Sequence, residues 1–420
     1  MTMVSVAIIG SGPAGCYTAQ FLSKLIPEAN ITVFDRLPVP FGLVRYGVAP
    51  DHQGTKAVTR QFDRLFERGG VRFAGNIEVG TDVSIQTVEL NFDVVVVATG
   101  LDEDRLLGIP GEDHHRVIGA GHIVRMVNGH PDASEEIALG NDIVLIGNGN
   151  VAVDVMRMLL KPLEEFEGSD VEESVLRRLR GSGVRNIDVV GRSSMAAAKF
   201  DPVVLRELRG LPGVGFAVDG EFPLEGSRIG DVVRELVESS DRTATTTVTL
   251  RFSWTPTAVS GNGDECRAEF VSEDGKRLVL DADSVITAIG FQHAQRRLYP
   301  GDESEPDSVT IAPGIYRTGW YRRGPRGTIP ENRLDSREVA ETIAADIKAG
   351  RILVGRPGWP GLPASVQEKA VDFAGWRVID RFEIERAETG RKRRKVTARE
   401  DMLRLATKEF AKGDEVEDKK

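Results

Sequence analysis

Two stretches of this chain have the residue types and spacing of phosphate-binding turns. Gly10-Ser11-Gly12-Pro13-Ala14-Gly15 comes directly after the apolar run Val4-Ser5-Val6-Ala7-Ile8-Ile9. Gly147-Asn148-Gly149-Asn150-Val151-Ala152 comes directly after Asp142-Ile143-Val144-Leu145-Ile146. Each reads as strand, tight turn, helix. The first glycine permits the turn, and the second lets the backbone approach a pyrophosphate. The third small residue lets the helix pack close to the strand, with its N-terminal N–H groups facing the anion. One such match is weak evidence. Two, in order and in context, suggest two dinucleotides on one chain, most commonly a flavin and a nicotinamide nucleotide.

The strand ends downstream of the turns separate the two. The next strand of the first unit, Ile31-Thr32-Val33-Phe34, ends at Asp35. That is about 20 residues beyond the glycines, where a carboxylate takes the ribose hydroxyls of an adenosine. A surface acid at a strand end is the plainer alternative. In the second unit, Asn186-Ile187-Asp188-Val189-Val190-Gly191 leads into Arg192 and Ser193. A cation in place of the acid suits a 2′-phosphate, hence NADP rather than NAD, against the alternative of a merely exposed arginine.

The bulk composition limits the remaining classes. The chain has 420 residues, 40% hydrophobic and 28% charged, with net charge −10. That length implies two domains, with room for a tail. No apolar run approaches the ~20 residues of a membrane span. The N-terminus enters a strand at once, so neither signal nor transit peptide is expected and the cytoplasm is the default. The acidic balance argues against general nucleic-acid binding. Cys16 and Cys266, the only cysteines, form neither a CxxC pair nor a metal spacing. A redox-active disulfide, an iron–sulfur cluster in this chain and a metal site are therefore not expected.

Between the turns, helix is expected over 16–25 and about 55–67. Strands are expected near 71–73 and at 93–97, the latter fully apolar like a central parallel strand. The Pro/Gly-rich segment 37–52 is too long for a simple connection. Leu107-Gly108-Ile109-Pro110-Gly111 resembles a crossover into a second domain. Helices are expected from the second turn to Leu160 and over 171–180. Strand-like alternation fills 246–291. A helix is expected from Asp335, as N-cap, to Lys348. The charged tail should fray from Gly413. Arg322, Arg323 and Arg326 could meet an acidic partner or a nucleotide, whereas the basic run 391–395 reads as a solvated face.

Leu37-Pro38-Val39-Pro40-Phe41-Gly42-Leu43-Val44-Arg45-Tyr46-Gly47-Val48-Ala49-Pro50-Asp51-His52 resembles the signature loop of the adrenodoxin reductase-like ferredoxin–NADP+ reductases, including their bacterial members. Gly75-Asn76, Leu107 to Asp113, Asn128 to Asp132, Gly147 to Asp154, and Gly319-Trp320 with Arg323-Gly324-Pro325 are similar to that family too. The resemblance covers almost the whole chain. It implies an α/β fold with two Rossmann-like dinucleotide-binding domains in a glutathione-reductase-like flavoprotein architecture. The FAD domain would be 1–103 with 320–420, and the NADP domain 104–319. FAD would lie on Gly10, Gly12, Ala14, Gly15, Asp35, Leu43, the backbone near Ile77 and Glu78, Trp320, and Gly327, Thr328 and Ile329. NADP(H) would lie on Arg105, Asn148, Gly149, Asn150, Val151, Arg192 and Gly327, with Ser193 beside them. His52 and Glu207 would stand near the flavin–nicotinamide site as the catalytic pair, orienting the nicotinamide or handling protons. For His52 a loop-fixing hydrogen bond is an equal alternative. Departures from the family pattern are Ser193 for a second arginine, Ser194-Met195 for Gly-Pro, Val204 for a glutamate, Met126-Val127 for an aromatic pair, and Pro330 for a glycine.

The implied activity is hydride transfer from NADPH to FAD, then single electrons to a ferredoxin-type iron–sulfur protein, which could feed a monooxygenase such as a cytochrome P450. The chemistry belongs to the cofactors, so no nucleophile or metal is required. Two other readings remain at this point: an NAD(P)H oxidase or diaphorase acting on a small molecule, and a catalytically weak flavin-binding redox sensor.

Overall fold

The computed structural model describes residues 3–133, 136–220, 227–241, 243–293, 298–299 and 307–407. The fraying expected beyond Gly413 lies outside them.

The first part of the chain alternates strand and helix. β1 (Ser5–Ile9) is buried throughout and runs into the first turn. α1 (Pro13–Leu25) begins with a proline, tolerated there because a first-turn N–H has no intrahelical acceptor. Then come β2 (Asn30–Phe34), the short α2 (Leu43–Tyr46) and α3 (Gln53–Lys56), α4 (Thr59–Arg68) and β3 (Arg72–Ala74). α5 (Ile85–Asn91) is capped by the Ser84 hydroxyl, which accepts from Thr87 N, and leads to β4 (Val94–Val97). The expected single helix over 55–67 is thus two pieces, α3 and α4.

After β5 (Glu103–Asp104) the second unit repeats the plan. It contains β6 (Val117–Gly119), α6 (Ala120–Val127), β7 (Asp142–Ile146), α7 (Asn150–Leu160), α8 (Glu173–Arg180), β8 (Asn186–Gly191) and α9 (Pro202–Arg206). β9 (Val214–Asp219), α10 (Arg228–Glu238) and β10 (Thr246–Phe252) come next. An antiparallel meander, β11 (Trp254–Asn262), β12 (Glu265–Ser272) and β13 (Arg277–Ala282), precedes β14 (Ser284–Thr287). The chain then supplies β15 (Phe291–Gln292), paired with β5, and β16 (Thr310–Ala312), β17 (Ile315–Arg317) and α11 (Trp320–Arg323). α12 (Ile329–Lys348), α13 (Ala364–Lys369), α14 (Phe373–Glu385) and α15 (Arg399–Ala406) close it.

Each unit is built on a six-stranded sheet. The first has the order β16-β17-β4-β1-β2-β3 and the second β6-β14-β7-β8-β10-β9. All pairs in the second sheet are parallel, and in the first only β16–β17 is antiparallel. In both sheets the strand before the glycine turn is central and covered on both faces, as parallel strands require; in the second sheet helices cover one face and the meander β11–β13 the other.

The compact units are 1–48, 52–103 and 291–420 for the first, and 49–51 with 104–290 for the second. The return to the first unit therefore lies at Phe291, not at Trp320. The reason is pairing: β17 joins the first sheet beside β4, with Tyr316 opposite Val96.

The expected start of α12 is also corrected. Its N-cap is Thr328, in a capping box with Glu331, and Pro330 fits the first turn. Asp335 instead sits inside the helix, buried, where it accepts from Thr318 Oγ1 at 2.8 Å and Gly319 N at 2.5 Å. The basic run 391–395 is only in part a solvated face: Lys392 and Arg394 are exposed, but others turn inward. Lys395 is buried, and Arg393 turns inward to Asp380 (2.6 Å) and Glu383 (3.2 Å) on α14.

Candidate functional site

The two turns have the same backbone logic. Gly10 has φ +112°, and a Cβ there would meet Ala98 O at 2.4 Å. Gly147 has φ +131°, and a Cβ there would meet Ala288 O at 2.3 Å. Both first positions therefore demand glycine. The third position is Gly15 in the first unit, where a Cβ would lie 1.9 Å from Gly10 O, and buried Ala152 in the second. Above Gly12 and Gly149 the space is open, with nothing within 4 Å of a built Cβ. These glycines cap α1 and α7, whose free N–H groups face that space. A pyrophosphate fits each cradle.

Strand register then aligns the ribose positions. Ile9 pairs with Phe34 and Ile146 with Val190. Gly10 N donates to Phe34 O and Gly147 N to Val190 O, both at 2.8 Å. Asp35 therefore corresponds to Gly191, and Arg192 stands one residue further on, at the place of Arg36. The acid is replaced by a glycine whose Cβ would strike the Asn148 side chain at 2.3 Å. Arg192 is exposed. Asn148 Nδ2 donates to Ser193 Oγ at 2.8 Å, so this serine is tied to the turn.

In the first unit Asp35 is held by its neighbours. It accepts from the Ser11 hydroxyl, from Ser11 N (3.1 Å) and from Leu37 N (2.9 Å). Desolvation pushes its pKa up from the ordinary carboxylate value, and the Ser11 and Leu37 hydrogen bonds partly offset this. Ile77 N donates to Asp35 O (2.9 Å), which brings the buried Ile77 to the same strand end. Glu78 is exposed, and its N–H donates to Asp82. Leu43 opens α2, and its carbonyl accepts from Gly47 and Val48.

The segment 319–329 joins this unit at α1. A Cβ on Gly319 would lie 2.5 Å from Ala14 Cβ, and Ser336 Oγ donates to Ala14 O at 3.0 Å. Trp320 stacks on Phe291, with ring centroids 5.6 Å apart, and donates to Gly327 O at 3.3 Å. Thr328 and Ile329 are at the N-terminus of α12. Arg322 and Arg323 are not free to serve a partner or a nucleotide. Arg322 binds Asp335 (2.6 Å) and Glu338 (2.8 Å), and Arg323 binds Asp335 (3.1 Å) and Asn332 (2.9 Å). They fix this loop to α12, and Arg326 alone of the three is exposed.

The remaining site residues fall in both units. His52 is the half-buried N-cap position of α3 in the first unit, and its carbonyl accepts from Lys56 N. In the second unit, exposed Arg105 donates its N–H to Gly290 O, three residues beyond β14. Asn150 and Val151 open α7, and Asn150 Oδ1 accepts from Asp201 N at 2.7 Å. Glu207 ends α9 and pairs with Arg157 Nε at 3.2 Å. Arg157 itself is buried and also binds Asp51 (2.6 Å) and Asp154 (2.7 Å). Burial works against its charge, yet Asp51, Asp154 and Glu207 hold its pKa above the ordinary guanidinium value.

Several residues here escaped sequence reasoning. Ser11, the middle residue of the first turn, binds Asp35 at the ribose end, as Asn148, already expected at the second site, binds Ser193. Phe41 and Lys199 return to the turns from the loops after β2 and β8. Phe41 N donates to Ser11 O (3.2 Å), and Lys199 N donates to Asn148 O (3.0 Å). The signal was internal symmetry, which only the alignment of the two units makes visible. Among the described residues no group of His, Cys, Asp and Glu is placed to hold a metal, and no helix is long and apolar enough to cross a membrane.

Comparison with known proteins agrees with this geometry. Residues 4–180 match the pyridine nucleotide-disulphide oxidoreductase family. The chain is 42% identical to cindoxin reductase of Citrobacter braakii, over 96% of this chain and 91% of that protein. It is 34% identical to human mitochondrial NADPH:adrenodoxin oxidoreductase, over 95% and 91%. The chain belongs to the adrenodoxin reductase-like ferredoxin–NADP+ reductase family. A probable ferredoxin/ferredoxin–NADP reductase of Mycobacterium leprae is 36% identical, over 96% and 78%. The structure of Mycobacterium tuberculosis FprA in complex with NADPH superposes with a TM-score of 0.84 at 28% identity, covering 96% of this chain and all of that one. Thioredoxin reductase of Lactococcus lactis, at 16% identity and a TM-score of 0.50, shares the fold alone. The chain is an FAD- and NADP(H)-dependent oxidoreductase of this family.

Proposed function

We propose that this protein takes a hydride from NADPH onto FAD and passes the electrons singly to a ferredoxin-type iron–sulfur protein. FAD, when bound, supplies the conversion between two-electron and one-electron transfer. The first unit would hold it, and the second would hold NADP(H). The observation that carries this assignment is the register of the two strand ends: an acid at Asp35 for a plain ribose, and Gly191-Arg192 for a 2′-phosphate. Gly12 and Gly149 would lie against the pyrophosphates, and Leu43, Ile77, Glu78, Trp320 and 327–329 would complete the FAD seat. Arg105 would sit on the nicotinamide-nucleotide side.

His52 and Glu207 would orient the nicotinamide or handle a proton, with Arg157 fixing Glu207 through their ion pair. Both cysteines are buried and unpaired, and burial pushes both thiols up, Cys266 to about 11. Unpaired, protonated thiols suit a reducing compartment, which supports the cytoplasm. The names of the relatives support an iron–sulfur acceptor such as an adrenodoxin, cindoxin or ferredoxin.

The reading is tested by cytochrome c reduction with NADPH, with and without added ferredoxin. Reduction that needs ferredoxin supports it. Rapid NADPH oxidation that ferredoxin leaves unchanged would assign the protein to small-molecule oxidation instead.

A further inference from the structure

A cation from the loop after β8 returns onto the second turn. Residues 199–201 are stitched to it from both sides. Lys199 N donates to Asn148 O at 3.0 Å, and Asp201 N donates to Asn150 Oδ1 at 2.7 Å. A parallel bridge pairs Lys199 with Gly149 itself. Buried Phe200 anchors the segment between these contacts. Residues paired across strands set their Cβ bonds on the same face. The missing Cβ of Gly149 points into the open space of the cradle, so the side chain of Lys199 leaves the backbone on the side where a pyrophosphate passes. Lys199 is exposed, and its ammonium makes no ion pair with any described residue.

The neighbouring positions sharpen the point. Ser193 brings no charge and is engaged with Asn148. Arg192 belongs to the ribose end, one residue beyond Gly191. In the first unit the equivalent of Lys199, by its hydrogen bond to the middle residue of the turn, is Phe41, which is 3% exposed and apolar.

We propose that Lys199 is a phosphate-binding residue of the nicotinamide-nucleotide site, directed at the pyrophosphate and not at the 2′-phosphate. This rests on the reading of the second unit as that site. A lysine is suited to the task, a flexible point charge that can follow a phosphate in and out.

The test is equilibrium binding of NADP+, NAD+ and adenosine 2′-monophosphate to the flavin-loaded protein, measured by calorimetry. Lys199→Ala should weaken NADP+ and NAD+ by the same factor, about 5- to 10-fold for one exposed charge-assisted contact. It should leave adenosine 2′-monophosphate, which has no pyrophosphate, unchanged. Lys199→Arg should keep most of the affinity, and Arg192→Ala should show the opposite pattern, losing NADP+ and adenosine 2′-monophosphate together. Bound flavin, measured by absorbance, should be equal in all variants. Unchanged NADP+ and NAD+ binding in Lys199→Ala, or a loss confined to the 2′-phosphorylated ligands, would overturn the assignment. Failure of the unmodified protein to bind any of the three would overturn the reading of the second unit, and Lys199 with it.

Discussion

At the first turn the returning loop brings Phe41 and Gly42; at the second it brings Lys199. Phe41 is buried at φ +84°, and Gly42 at φ +46° comes so close that a Cβ would lie 3.2 Å from Gly12 Cα. Ser11 of the first turn is fully buried beneath these residues, while the open space lies over half-exposed Gly12. At the second, Asn148 and Gly149 are half-exposed, and Asn150, Arg192 and Lys199 are exposed. The same strand–turn–helix backbone thus has two surroundings. One suits a nucleotide that stays and excludes water. The other suits a nucleotide that comes and goes, drawn by charge and released again. An electron carrier between a diffusing hydride donor and a one-electron acceptor needs one of each.

The comparison breaks most sharply at the middle glycines. Gly12→Val puts a branched side chain into the first cradle, and the purified protein should be colourless. Gly149→Val should be fully yellow yet show no NADP+ binding by calorimetry. If either variant behaves like the other, the assignment of nucleotides to units is wrong.

The next largest effect concerns the support of the first cradle. Arg45 in α2, from the loop that continues beyond Phe41, is buried and pairs at 2.5 Å with Glu383 of α14, which is wholly buried. Its guanidinium also lies 5.0 Å from the ring centroids of Tyr46 and Trp376. Glu383→Ala leaves an uncompensated buried charge, a loss of about 3–5 kcal/mol. Chemical denaturation should show it, together with weaker flavin retention. A loss below about 1 kcal/mol would mean that the pair is not the clamp its burial suggests.

A smaller change tests the ribose ends. Arg192→Ala should reduce the preference for NADPH over NADH by about 1.5–3 kcal/mol, the worth of a charge-assisted hydrogen bond, read as the ratio of kcat/KM values. Ser193→Arg should enlarge the preference, but by less than a full arginine contact, because it breaks the Asn148–Ser193 bond. Equal kcat/KM with both nucleotides in the unmodified protein would contradict the role of Arg192.

The smallest effect is electrostatic. Desolvation raises the Asp63 pKa to about 6, against partial relief from Arg377. The folded state then holds an extra proton between about pH 4 and pH 6, so stability falls as pH rises through that window and stays lower above it. Asp63→Asn should remove this slope and gain about 1 kcal/mol at pH 7 after allowance for partial exposure. Thermal melts at pH 4.5 and 7 check it, and an unchanged difference between them would refute the cause.

Much of this was legible in the residues. Val4 to Ile9 and Asp142 to Ile146 are apolar runs entering glycines, and their strands and turns result from that. The 37–52 loop and the glycine spacings carried the family. The start of α12 is legible in the residues as the capping box Thr328-Ile329-Pro330-Glu331, whereas Asp335, expected as the cap, is an interior residue. Its burial depends on Thr318 and Gly319 arriving from β17, which local pattern does not show. The correspondence of Asp35 with Gly191 needed strand register. Arg393 and Lys395 read as solvated because their partners lie on other elements. The roles of Phe41 and Lys199 depend on loops folding back over turns about 30–50 residues upstream, a tertiary fact with no local signature.

The most direct test is an anaerobic titration of gel-filtered protein with NADPH, monitored at the flavin absorption band. The flavin should remain bound through gel filtration, about one equivalent of NADPH should bleach the band, and oxidised ferredoxin should then restore it. Loss of flavin on the column, or a band that NADPH leaves unchanged, would contradict a resident FAD reduced by an exchanging NADPH.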